Sequence, residues 1–203
     1  PDDMVSVCPN ESRIGEINLE DKDHFLASAH VVSFAVEQKL YDPASGKPFS
    51  WKHAYSPGAG SALSTNGGRQ RMWRFFSAVA PSKNFAPGLE NMDFPFAVKP
   101  DQKLSVQDVM NLTRDKSYGT IFDPVQGIRG GPFQNPNYYT ATRKISVSNA
   151  EYTTVTQCRS WLPDVIGGIT WLSWGDQATA CYMPLYAGTT SIPKSFNVGD
   201  HFI

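Results

Sequence analysis

Apolar positions recur at helical spacing in three stretches of the chain and at alternating spacing in its last third. In residues 23–40, Phe25, Ala29, Val32 and Val36 form a stripe, which predicts an amphipathic helix with Asp23 as N-cap and an end near Leu40, before Pro43. Residues 69–80 (RQRMWRFFSAVA) place Met72, Phe75, Phe76 and Val79 on one side and predict a helix stopped by Pro81. Residues 104–115 predict a third: Ser105 and Asp108 have capping-box-like spacing, and Val106, Val109, Met110 and Thr113 share a face. Short extended pieces at residues 4–8 and 13–17 precede these helices. Past Thr142 the period becomes two, and residues 144–148, 152–161, 169–174 and 179–185 predict strands, with Gly175-Asp176 as a tight turn between the last two.

The connections are equally patterned. Residues 56–68, rich in Gly, Ser and Ala, predict an exposed loop, and residues 118–140 a long ordered loop of the kind that lines sites. The glycine-rich run 127–131 lacks the GxxxxGK[ST] pattern of a phosphate cradle and is taken as loop. Helices first and an antiparallel sheet last predict an α+β fold. Residues 156–188 hold three of the five tryptophans and two of the three cysteines. So apolar a ribbon needs covering layers, and its tryptophans are expected between them.

Composition narrows the classes. A chain of 203 residues makes one domain or a large part of one, and 40% hydrophobic with 12% aromatic residues suits a packed core and excludes disorder for most of it. A net charge of -1 argues against a nucleic-acid or membrane surface, which needs clustered Lys and Arg, and favours a small or neutral partner. No run reaches the roughly 18 apolar residues that a membrane span requires. Cys8, Cys158 and Cys181 are too few and too scattered for a disulfide framework, so reduced, packed thiols are expected. The start at Pro1 is read as that of a piece of a longer protein.

Candidate chemistry is sparse. His24, His30, His53 and His201 show no metal-ligand spacing, and neither metal nor cofactor is expected. Cys8 is an internal thiol that becomes a nucleophile only if a histidine approaches; a packed thiol is the plainer reading. Arg69, Arg71 and Arg74 sit at the predicted helix start, where the macrodipole disfavours cations, so each is either a structural ion pair or a group facing a carboxylate or substrate. Arg159, inside an apolar strand, must face solvent or be paired. Asn10, at a strand-to-turn junction, has an amide suited to an oxyanion, yet Asn is also a common turn residue. The sequons at Asn10 and Asn111 are taken as chance.

Four segments taken together, VSVCPNESRIGEI (residues 5–17), FAVEQKLYDP (34–43), GPFQNPNY (131–138) and CRSWLP with YMPLYAG (158–163 and 182–188), resemble the cysteine dipeptidase family of N-terminal-nucleophile hydrolases, across nearly the whole chain. The resemblance implies an αββα four-layer sandwich, only partly present here, with residues 1–203 as a single C-terminal part of the catalytic domain. It implies a nucleophilic cysteine at the mature N-terminus, whose α-amine, with a pKa near ~8, takes the thiol proton. That cysteine is absent from this chain, and the chain alone is expected to be inactive. Asn10 looks like the oxyanion asparagine of the related penicillin V and bile-salt acylases, and Arg71 like the arginine beside their nucleophile. Arg74 is the alternative and a substrate-binding candidate. The implied partner is a small peptide, together with self-association or association with the missing N-terminal segment. The rival class is a non-catalytic module whose exposed tryptophans stack on a sugar or peptide.

Overall fold

The computed structural model describes residues 3–10, 12–56, 62–87, 94–126, 132–135 and 143–197, with the side chains of 62–66, 132, 195 and 197 left aside. Strand β1 (Val5–Ser6) is followed by helices α1 (Val31–Glu37), α2 (Trp51–Tyr55) and α3 (Ala62–Val79), strand β2 (Ala97–Val98) and helix α4 (Val106–Thr113). Then come β3 (Tyr152–Cys158), α5 (Asp164–Gly167), β4 (Gly168–Trp174), β5 (Met183–Tyr186) and α6 (Lys194–Asn197). Helices with antiparallel sheets make the fold α+β, as the order of periodicities predicts. The chain groups into two compact units, residues 1–103 with 117–144, and residues 104–116 with 145–203.

In the first unit, α3 buries Met72, Phe76 and Val79 at helical spacing. Phe76 meets Phe85 and Phe94 at ring-centroid distances of 5.7 and 6.1 Å, and Phe85 meets Phe94 at 6.0 Å. This aromatic triangle is the heart of the core. Strand β1 pairs with β2 in antiparallel register, Val5 opposite Val98. Arg13, almost wholly buried, donates to the carbonyls of Phe94 and Pro95, and the chain beside it receives the amides of Trp51 and Lys52 at Gly15 and Ile14. The segment that carries Asn10 is therefore tied down on both sides.

Two helix boundaries differ from the sequence pattern. The expected 23–40 helix is only α1, because Asp21 closes a separate turn by accepting the His24 amide, and Leu26 projects fully into solvent. Helix α3 starts at Ala62, inside the stretch read as loop. Its small residues serve close packing: a Cβ on Gly67 would lie 2.9 Å from the Arg143 Cβ. In the long connection after Tyr118, Asp123 accepts from the amides of Gly119, Val125 and Gln126 and orders that stretch. The glycine-rich run 127–131 lies outside the described residues.

In the second unit, β3, β4 and β5 form an antiparallel meander in which Val155 faces Trp171 and Thr170 faces Leu185. Helix α4 lies against β3. Its predicted capping box is present: the Ser105 hydroxyl accepts the Asp108 amide, and the Asp108 carboxylate accepts the Ser105 amide. Residues 144–148 form bends rather than a strand, because Lys144 and Ser146 are buried polar groups, and the Ser146 hydroxyl donates to Asp176. The connection from β4 to β5 is residues 175–182 instead of a tight turn. Lys116 and Ser146 hold it through Asp176, and Arg114 donates to the carbonyls of Gln177 and Ala180 while stacking over Tyr182 at 4.9 Å.

One edge of this sheet is open. The Gly175 amide bonds the Glu151 carbonyl and the Arg159 amide bonds that of Gly167, so the odd-numbered residues of β3 face β4. The N–H and C=O groups of Tyr152, Thr154, Thr156 and Cys158 point away, their side chains are exposed, and no described backbone group pairs with them. The ribbon is therefore covered on one face only. Trp171 is half-buried, whereas Trp161 and Trp174 are 73% and 52% exposed, against the expectation that the tryptophans lie between layers.

Candidate functional site

Two of the sequence-predicted residues meet in the first unit. Asn10 occupies the bend after β1, and Arg71 projects from α3; Arg71 Nη2 donates to Asn10 Oδ1 at 2.8 Å. The guanidinium is held from behind as well, because Arg71 Nε donates to the Gly67 carbonyl one turn earlier at 3.2 Å. Arginine carries donors only, so the Asn10 amide oxygen must face it, and both amide hydrogens are directed elsewhere. The pair presents positive charge and oriented N–H donors on the exposed side of the bend, the polarity that a developing oxyanion requires.

Arg74 lies one turn further along α3 and is half-buried; the Asn10 carboxamide is engaged by Arg71. The macrodipole argument about the three arginines does not hold, since the helix begins at Ala62 and they fall in its middle turns. Arg159 is structural in its contacts: it donates to the carbonyls of Ile166 and Gly167 and sits 5.8 Å from the centroid of the Tyr186 ring. Cys8, Cys158 and Cys181 are all exposed, so the packed environment expected for them does not hold. Cys158 is exposed because it sits at an even position of β3, on the face opposite Val155.

Two residues near the pair were not singled out by the sequence pattern. Gly67 and Gln70 are buried in α3, and Gln70 Oε1 accepts the Arg143 amide at 3.0 Å. The available signal was the Gly67-Gly68 doublet next to a helix pattern, which often marks close packing. Flanking them, the Trp73 indole donates to the Phe85 carbonyl and meets Phe122 edge-on at 5.3 Å.

A cavity of about 1170 Å³ elsewhere in this unit, lined by apolar groups such as Val31, Phe34, Trp51, Tyr55 and Phe96, contains neither Asn10 nor Arg71. Its lining is mainly apolar, with Glu16, His24, His30 and Lys52 also on its wall. Among the described residues no cluster of three His, Cys, Asp or Glu side chains is placed to hold a metal ion. Of the exposed tryptophans, Trp174 meets Tyr152 edge-on, at an interplanar angle of 70°.

Comparison with known proteins adds an independent line. The profile of peptidase family C69 matches residues 1–202. A probable dipeptidase of Salmonella dublin is 30% identical over 193 residues, covering 93% of this chain and 41% of the relative. A probable dipeptidase of Latilactobacillus sakei is 25% identical over 97% of the chain and 39% of its own length, and dipeptidase A of Lactobacillus helveticus 22% identical over 100% and 40%. The chain thus spans about two fifths of the length of these relatives.

Proposed function

Because the chain belongs to peptidase family C69, we propose that the protein it comes from is a dipeptidase, and that this chain supplies the oxyanion side of a centre whose nucleophile is an N-terminal cysteine. The hydrogen bond between Arg71 and Asn10, residues 61 positions apart, carries this reading. Attack of a thiolate on the peptide carbonyl carbon moves the C=O electron pair onto oxygen. An Asn10 N–H then donates to that oxygen, and Arg71 fixes the amide's orientation and adds positive charge. The thiol proton passes to the cysteine's own α-amine and from there to the departing amine, and water hydrolyses the thioester, regenerating the thiol. No step needs a metal or an organic cofactor.

All three cysteines here are internal, so each α-nitrogen is an amide and none can act as that base. On this reading the nucleophile belongs to the part of its relatives' length that the chain does not cover, and the chain alone does not hydrolyse dipeptides. The relatives' greater length accommodates it. The unpaired β3 edge and the open face beside it are where further strands of an αββα sandwich would join, so the chain's first partner is the remainder of its own protein or, failing that, a second copy. The substrate class is a small peptide.

The test is Asn10→Ala in the intact protein. Removing one oxyanion donor lowers kcat by about 10²–10³ and leaves KM little changed. Full activity in that variant refutes the assignment, and thiol-dependent dipeptide hydrolysis by residues 1–203 alone refutes the missing nucleophile.

A further inference from the structure

Arg71 does not reach Asn10 from a featureless helix. The turn from which it projects is seated against residue 143 at two points. Gln70, 6% exposed, accepts the Arg143 amide hydrogen through Oε1, and a Cβ at Gly67 would lie 2.9 Å from the Arg143 Cβ and 3.2 Å from its Cγ. The first distance is closer than two carbons approach without displacement, and a Cβ moves only with its backbone. The same Gly67 takes Arg71 Nε on its carbonyl, which leaves Nη2 for Asn10. Backbone spacing at residue 143, the position of this helical turn and the aim of the guanidinium are thus one mechanical chain.

We propose that Gly67 and Gln70 are positioning residues of the reaction, setting the Arg71 guanidinium against Asn10 through their seat on residue 143. The inference rests on the reading of Asn10 and Arg71 as the oxyanion side of the centre. Its chemistry is geometric. A side chain at Gly67 forces α3 and residue 143 apart, and a 2.8 Å charge-assisted bond weakens once its partners are displaced. Misplaced groups lower the rate without removing any reacting atom.

The experiment is a double-mutant cycle on the intact peptidase with Gly67→Ala, Arg71→Gln and the double variant, each assayed for kcat, KM and thermal midpoint. Gly67→Ala is expected to lower kcat roughly tenfold with KM nearly constant, and to cause no further loss once Arg71 is Gln. A role confined to stability would multiply the loss equally in both backgrounds, and that result overturns the proposal, as does an unchanged kcat in Gly67→Ala. Should Gly67→Ala fail to fold, Gln70→Met takes its place in the cycle: it removes the acceptor for the Arg143 amide, while Gln70→Glu keeps one and restores the rate. Impaired Arg71→Gln with an additive cycle overturns the seat alone. An unimpaired Arg71→Gln overturns the site reading and the seat with it.

Discussion

Replacing Asp176 with alanine probes the polar node that holds residues 175–182. Its carboxylate accepts Lys116 Nζ at 3.1 Å, the Ser146 hydroxyl at 2.9 Å and the Ala178 amide at 3.0 Å. The Lys116 and Asp176 side chains are only 8% and 16% exposed. A solvent-exposed pair of this kind would be worth about 0–1 kcal/mol. Here the ammonium stays desolvated when its counter-charge goes, so Asp176→Ala should cost about 3–5 kcal/mol, and Lys116→Met with Asp176→Leu should recover most of it. Urea unfolding reads both from the shift in midpoint at constant m. A loss below about 1 kcal/mol would show that water reaches the pair, and the argument from burial would be wrong. The pH dependence follows from the same contacts. Burial pushes this carboxyl's pKa up, but the Ala178 amide, the Lys116 ammonium and the Ser146 hydroxyl outweigh it and hold the group below the usual carboxylate range. Because the folded value lies below the unfolded one, about 3.9, the stabilisation is complete above that pH and is lost as pH falls through the folded value. Asp176→Asn should flatten that acid limb.

Ser105→Ala removes the hydroxyl that caps α4 and should cost about 1 kcal/mol in the same unfolding assay. Gly175→Ala places a Cβ on a residue at φ +76° and should cost about 1–2 kcal/mol, with Gly175→Asn milder. All three cysteines should react with a thiol reagent without denaturant in the isolated chain. In the intact protein Cys158 should become protected if a further layer covers the exposed face of β3; equal reactivity in both would count against that cover.

How much was legible varies with the distance over which each feature is decided. The α4 capping box joins residues three apart and could be read directly from Ser105 and Asp108. The alternation of β3 and β4 was equally plain, since side-chain facing along a strand is set by the backbone itself. Helix α3 was shortened in the sequence reading because Gly67 and Gly68 suit a loop by propensity, and their reason for being in a helix lies at residue 143. The exposure of Cys158 and Trp174 could not be read either: alternation says which residues share a face, not which face finds cover.

For the site, the residue types offered candidates only. Asn10 carries an amide that suits an oxyanion or a turn alike, Arg71 a fork of donors that suits an ion pair or a substrate alike, and their place in a reaction came from the resemblance to a family. Tertiary structure decided that Arg71 is the arginine that meets Asn10, across 61 residues, and that Gly67 and Gln70 hold its turn in place. Short-range hydrogen bonds and side-chain periodicity act along the chain and leave a local pattern. The approach of two distant segments depends on how the intervening core packs, and that leaves none.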